Sequence, residues 1–591
     1  MTAPERTAAL PPALPPAPAS APQLTDRGAV VLAVAVWVSA VAHRPVPALV
    51  LVGVVLGVLV VRRPVVLVVA AALLAGTLAS RAHGGLHPVA PGPYSGVATL
   101  VADPSPTAFG WRADVRLGHR RVELTAGDAA GGALSAALTG ERIRVEGKLA
   151  PPRPSSPWLV PRHVVGRLAA TSVERVDAGA APWRAANRFR RLLQRGASTM
   201  GERERSLYAG FVLGDDRDQP PEVVDDFRGA GLTHLLVVSG QNVAFLLVLV
   251  SPITTRLRWG GRWAVTIAVI AVFGVVTRFE PSVLRASAMA AVAVTAGAVG
   301  RPTGSVRTLA LAVSGLILVD PLLVHSTGFQ LSVGASLAIA VGASRIARVL
   351  PGPGPLADAV GVTLAAQFGV APVLVPLAGG LPVVSLLANP LAVPVAGLVT
   401  TWGLPAGVVA GLGGHRLASV VHLPTELMIR WVAAVARVGA SVPLGALGWP
   451  HLAGLAVALA VAARPPPLRI AAVPVALVSV LAPAVALRSP PTEVVADGLS
   501  VHRAGGATVV VVDGAPPVDA LEVLRTAGVR RIDVLVVDGR GAAELVRVLR
   551  HRWSLRRVID AGSSGPVRLL VGGLDISVEP PAPPVVTARP P

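Results

Sequence analysis

GLTHLLVVSGQNVAFLLVL, running from Gly231 to Leu249, is an apolar block interrupted by polar residues. His234, Ser239, Gln241 and Asn242 stand in it, with Gly240 beside the serine. Its hydropathy predicts a membrane-spanning helix over 234–252. Polar groups in hydrocarbon are costly unless they find partners. Ser239-Gly240 is a pair that can break a helix and free backbone donors, as in the discontinuous helices of transporters. In one continuous helix His234 and Gln241, two turns apart, would share a face. A helix start at the bilayer surface, with its polar residues wetted by headgroups, fits the same pattern.

Outward from this stretch the apolar blocks recur. The chain has 591 residues, of which 52% are hydrophobic and 15% charged, against about 25% charged in soluble domains. Candidate spans lie at 28–43, 46–61 and 64–80, and again at 234–252, 263–277, 282–299, 306–319, 327–343, 358–377, 383–413, 419–439, 450–463 and 470–487. This is the pattern of a polytopic α-helical membrane protein. Pro390, Pro394 and Pro405 divide the 383–413 block, which reads as one span or as two short, re-entrant pieces. Cysteine is absent, which excludes disulfides, thiolate metal sites and cysteine nucleophiles. The net charge of +20 is almost all arginine, Lys148 being the single lysine. A GC-rich coding bias, the positive-inside bias of membrane proteins and a polyanionic partner each account for it.

The arginines between spans are ordered. Arg62 and Arg63, then Arg256, Arg258 and Arg262, then Arg301 and Arg307, then Arg345 and Arg348 all fall on one side if spans alternate. The positive-inside rule makes that side cytoplasmic and predicts a cytoplasmic-membrane protein with residues 81–182 outside. There the sequence changes from apolar runs to alternation. WRADVRL turns Trp111, Ala113, Val115 and Leu117 one way and Arg112, Asp114 and Arg116 the other. ERIRVEGKL does the same with Ile143, Val145 and Leu149 against Arg142, Arg144, Glu146 and Lys148. Period two predicts half-buried antiparallel strands, and about five of them suit a small β-barrel, with an OB-fold one candidate. Arg112, Arg116, Arg142, Arg144 and Lys148 are candidate DNA contacts, or simply a solvated face. Residues 1–26 form a proline- and alanine-rich tail expected to be disordered. Residues 183–230 read as amphipathic helices lying at the interface or docked on the bundle. Residues 231–489 make the bundle, and 490–591 return to an α/β pattern.

Two further apolar blocks carry polar residues. RFEPSVLRASAM, Arg278 to Met289, starts a helix at Pro281 and brings Arg285 into the hydrocarbon, unless it reaches back to the surface. GFQLSVGASL holds Gln330 and Ser332. Together with GLTHLLVVSGQNV and the upstream FVLGDD from Phe211, these segments resemble, in order, the motifs of the ComEC family of competence proteins. The resemblance implies three early spans, an external OB-like domain and a channel bundle for transforming single-stranded DNA. His234, Ser239, Gly240, Gln241, Asn242, Arg285, Gln330 and Ser332 then become candidate pore or packing positions. It also implies a DNA receptor and a motor ATPase as partners, since no nucleotide-binding motif is visible. Many members end in a metallo-β-lactamase-like domain. Its ligand cluster is expected after the strand IDVLVVDG, where this chain reads DGRGAAELVRVL. Asp513, Asp533 and Asp538 are scattered, and the only histidines beyond 490 are His502 and His551. The expectation is a truncated domain without metal ligands, hence no catalytic residues, no cofactor and no enzyme activity. A secondary transporter of another substrate is the alternative for the bundle.

Overall fold

The computed structural model describes residues 25–588 apart from 62, 108–109, 154–155, 302, 443, 466–468, 487–492, 497, 514–516, 530, 539–541, 562–565 and 579–583. The tail up to residue 24, Arg62 and part of the DGRG turn lie outside the described residues.

Three helices open the fold: α1 (Asp26–Ala42), α2 (Ala48–Val61) and α3 (Pro64–Gly84). The Thr25 hydroxyl caps α1 by accepting from the Gly28 N–H, and Pro64 begins α3, where a missing N–H costs nothing. A β-domain follows: β1 (Gly92–Leu100), β2 (Ser105–Thr107), β3 (Gly110–Leu117), β4 (Arg120–Ala126), α4 (Asp128–Ser135), β5 (Arg142–Ala150) and β6 (Val164–Asp177). Its strand order is β1-β5-β6-β4-β3-β2, with β4 and β6 parallel. β1 also pairs with β3 at Thr99–Arg116 and Leu100–Val115, so the sheet curls back on itself. The alternation read from the sequence fills its core: Ala113, Val115, Ile143 and Val145 are buried. Asp114 departs from it. It is buried too, because Arg162 reaches across to pair with it.

Next come α5 (Ala181–Gly196), α6 (Glu202–Leu213) and α7 (Pro221–Gly229). The bundle continues with α8 (Gly240–Thr254), α9 (Trp259–Val276), α10 (Pro281–Ala298), α11 (Ser305–Val319), α12 (Thr327–Ala347) and α13 (Gly354–Ala378). It ends with β7 (Leu381–Pro382), α14 (Ser385–Gly413), α15 (His415–Val421), α16 (Leu423–Ser441), β8 (Ala446–Leu447), α17 (Trp449–Ala462) and α18 (Ala472–Ala486). Among the described residues six helices, α3, α9, α10, α12, α13 and α14, are long and apolar enough to cross a membrane. The chain is a multi-pass membrane protein, and outward-facing residues such as Val34, Val38, Leu387 and Leu391 suit a lipid surround.

Two sequence expectations are corrected here. No single helix covers 234–252: Thr233–Leu235 form a 3-10 turn and the helix begins at Gly240. The 383–413 block is not two pieces but one helix of 29 residues, its three prolines accommodated inside it. Neighbouring helices tolerate such breaks in a membrane helix by meeting the freed carbonyls. Of the two readings left open for 183–230, docking holds. α5, α6 and α7 share a core with α14 and α16 through Leu193, Leu207, Tyr208, Phe227 and Val399.

α11 orients the molecule. Arg307 in its first turn pairs with Asp26 at 2.8 Å, and Asp320 just past its last turn pairs with His163 of the β-domain at 3.0 Å. At 1.5 Å per residue these contacts are about 20 Å apart. The start of α1 and the β-domain therefore sit at opposite ends of the bundle.

The C-terminal part is β9 (Glu493–Ala496), β10 (Leu499–Ala504), β11 (Ala507–Asp513), α19 (Pro517–Thr526), β12 (Ile532–Asp538), α20 (Ala542–Arg552), β13 (Leu555–Asp560), β14 (Val567–Val571), β15 (Leu574–Val578) and β16 (Val585–Ala588). β9 to β13 form one mixed sheet, β14 to β16 another. α19 and α20 dock on α7 through ion pairs from Arg525 and Arg552 to Asp225, Arg552 to Asp226, and Arg228 to Glu522.

Candidate functional site

The break before α8 has a defined environment. Ser239 is the N-cap of α8 in extended backbone, yet its side chain does not cap the helix. The Asn242 N–H instead donates to the Ser239 carbonyl at 3.0 Å, and the Ser239 hydroxyl leaves the other first-turn N–H groups uncapped. α10 packs against this end. The Ser282 hydroxyl donates to the Val238 carbonyl at 3.0 Å, and Arg285 lies over Gly240. A Cβ at Gly240 would meet Arg285 Nη2 at 2.5 Å and the Ser282 carbonyl at 3.0 Å, so glycine is required for this approach. Arg285 Nε donates to the Ser332 hydroxyl of α12 at 2.7 Å, and Nη1 points at the Met289 sulfur. Among the described residues Arg285 has no carboxylate partner. The helix that carries it is half-buried around Arg285 and shows exposed residues only from Ala293 onward.

Of the sequence-derived residues, this geometry brings together Ser239, Gly240, Arg285 and Ser332. Asn242 is adjacent but buried, its amide donating to the Phe211 carbonyl at the end of α6. There it ties FVLGDD to the broken helix. Gln330 donates to the Val324 carbonyl at 2.7 Å, in the turn that leads into α12. His234 and Gln241 do not share a helix face, because His234 lies in the 3-10 turn ahead of α8.

A second cluster, not read from the sequence, joins the β-domain to the bundle. Arg190 of α5 is fully buried. Its guanidinium donates to the carbonyls of Leu213 and Val276 at 2.7 and 2.9 Å, and to Asp103 and Asp215 at 3.1 and 3.0 Å. Arg278, in the turn between α9 and α10, donates to Asp103 and to Asn187, and Arg217 grips Asp215. Burial opposes ionisation of Asp103, but Arg190, Arg278 and Arg217 outweigh it, with the Thr139 hydroxyl, and hold it below the usual carboxylate range. Glu280, the next residue but one after Arg278, has no such partners. Burial, then the charges of Asp216 and Asp103, push it up. Arg278 and Phe279 both have left-handed backbone, at φ 63° and 54°, a strained turn held by the Asp103 contact. The only sequence signal was RFRRLLQRG on an amphipathic helix, which does not say which arginine turns inward.

The arginines predicted to contact DNA divide. Arg142 pairs with Asp177, Arg144 with Glu174 and Arg112 with Glu123, while Arg116 and Lys148 have no ion pair among the described residues. Among the described residues no group of three or more histidines and carboxylates is placed to hold a metal.

Comparison with known proteins bears on the same segments. Residues 211–464, from FVLGDD to the end of α17, match the model of a family described as competence protein. ComE operon protein 3 of Bacillus subtilis (strain 168) is 26% identical over 228 residues, which is 38% of this chain and 29% of that relative's length. No solved structure matches. The motif order, the broken helix and the family match agree in making residues 211–464 similar to competence proteins.

Proposed function

We propose that the chain passes single-stranded DNA inward across a bacterial cytoplasmic membrane. The observation that carries this reading is Arg285, a cation with no carboxylate partner among the described residues, set against the uncapped start of α8. A phosphodiester crossing bare hydrocarbon meets a prohibitive barrier. A guanidinium beside a helix N-terminus is an environment in which it is stabilised. Each hydrogen bond to a charged group contributes about 1.5–3 kcal/mol, so a few donors at one depth lower the barrier without trapping the strand.

On this reading the arginine-rich ends of the bundle face the cytoplasm. The β-domain stands outside as an OB-like module, in keeping with its curled sheet and parallel β4–β6 pair. The C-terminal part is a metallo-β-lactamase-like remnant without nuclease activity. Delivery of the strand and its pull inward fall to a DNA receptor and a motor ATPase. The match of residues 211–464 to a competence-protein family supports a role in DNA uptake.

Arg285→Leu and Asn242→Leu, expressed at matched membrane levels, separate the roles. Loss of uptake per molecule in Arg285→Leu, with normal accumulation, is the expected result. Asn242→Leu should also lower the amount of folded protein, because it leaves the Phe211 carbonyl only the longer contact from the Thr400 hydroxyl at 3.4 Å. Normal uptake per molecule in Arg285→Leu would remove the site from the path. A broken helix with a cation beside its N-terminus also suits a secondary transporter of a small anion. Anion flux without DNA uptake would favour that reading.

A further inference from the structure

The β3–β4 hairpin carries RLGHRR from Arg116 to Arg121, four basic-type residues in six with no acid. Arg116 and Arg121 stand directly opposite each other in the antiparallel register, an arrangement that is destabilising for like charges. Nearby acids relieve it only from a distance, through Asp114 and Asp320, and none pairs with either arginine among the described residues. Asp114 and Glu123 are taken by Arg162, and Glu123 also by Arg112. Arg116, His119 and Arg120 are exposed, and among the described residues none of the hairpin's arginines has an ion pair.

The position of the hairpin selects its partner. Arg121 pairs in register with Val164, the residue after His163. His163 bonds Asp320 at the end of α11, and Arg121 lies within electrostatic reach of the same Asp320. Val319, the last residue of α11, is 84% exposed, as a lipid-facing residue would be. The Arg121 end of the hairpin therefore lies beside the end of α11, a short apolar helix whose exposed last residue suits the level where the bundle leaves hydrocarbon for headgroups.

We propose that Arg116, His119 and Arg120 form a headgroup anchor that seats the β-domain on anionic phospholipid. The guanidinium groups bind lipid phosphates as a paired fork, and the lipid's charge compensates the Arg116–Arg121 repulsion. This rests on the membrane-spanning reading of the bundle, not on what the bundle transports. Near an anionic surface each arginine contributes roughly fivefold in affinity.

The test uses the full-length chain in nanodiscs of phosphatidylcholine with or without phosphatidylglycerol, carrying a photoreactive residue as His119→benzoylphenylalanine. A phosphatidylglycerol adduct that persists in excess single-stranded oligonucleotide is expected. It should fall about tenfold or more in the added Arg116→Gln/Arg120→Gln background. Lys148→Gln, an exposed cation on another strand, should leave it unchanged. Absence of a lipid adduct, its replacement by an oligonucleotide adduct, or an equal fall in Lys148→Gln would each overturn the proposal. Equal thermal midpoints for all variants exclude misfolding as the cause.

Discussion

Replacing Arg190 by leucine would remove a buried donor from two carbonyls and two carboxylates at once, leaving Asp103 to Arg278 and Asp215 to Arg217. Breaking a buried pair from one side costs about 3–5 kcal/mol, so Arg190→Leu should lower the stability of the detergent-solubilised protein by that order. Arg188→Leu, an exposed arginine on the same helix, should stay within about 0.5 kcal/mol. Equal denaturation profiles for the two would contradict the joint described for Arg190. Glu280 offers a pH test with a definite sign. Its folded-state pKa is raised, so the folded protein holds this proton more tightly than the unfolded chain. Stability should therefore rise as pH falls from neutral through that raised value, and Glu280→Gln should remove the rise. Asp103 works the other way: its depressed pKa contributes stability that is whole above the ordinary carboxylate range and is lost progressively as pH falls below it. At this scale the sequence was legible only where the partner is local. Ser239, Gly240 and Arg285 stood out as polar in apolar surroundings. Arg190 did not, because its partners lie 87 residues upstream and 25 and 86 downstream.

Helices and strands were legible wherever a period or a long apolar run dominated. The alternation of β3 and β5 predicted their buried faces, and most of the apolar blocks appear as helices near their expected bounds. The start of α8 was not legible. Leu235, Leu236, Val237 and Val238 are as apolar in a turn as in a helix, and only the packing of Ser282 and Arg285 from α10 sets the boundary at Gly240. That packing makes Gly240→Ala informative. The added methyl would displace Arg285 or part α8 from α10, and uptake per molecule should fall at least about tenfold while the helix itself gains propensity. Unchanged uptake would mean that the close approach is incidental. The C-terminal element makes a separate prediction. Arg552 faces Asp225 and Asp226 on α7 and donates to the Ala440 carbonyl. Arg552→Glu should undock this region, seen as faster proteolysis after residue 490 with the bundle intact. Wild-type resistance would show that the ion pairs do not hold it.

At the scale of the whole molecule, Arg307 with the start of α1 and the β-domain lie at opposite ends of α11, and the Asp103–Arg190 joint ties the β-domain to the bundle. The absence of cysteine makes the orientation testable with one added thiol. Thr107→Cys, exposed on β2, should react with an impermeant maleimide on intact cells. Reaction only after lysis would invert the topology and put the joint on the cytoplasmic side. The loop arginines predict which end faces the cytoplasm, because the positive-inside bias acts on each loop independently of tertiary packing. How the β-domain is seated was not legible, since it depends on contacts such as His163–Asp320 that span 157 residues. The central claim is that the chain carries single-stranded DNA across the membrane. The most direct measurement is nuclease-protected uptake of labelled DNA in a strain lacking the chain, complemented with wild type or with Arg285→Leu at equal membrane abundance. Protected label restored by wild type and not by Arg285→Leu is the predicted result; protected label in the uncomplemented strain at the wild-type level would contradict it.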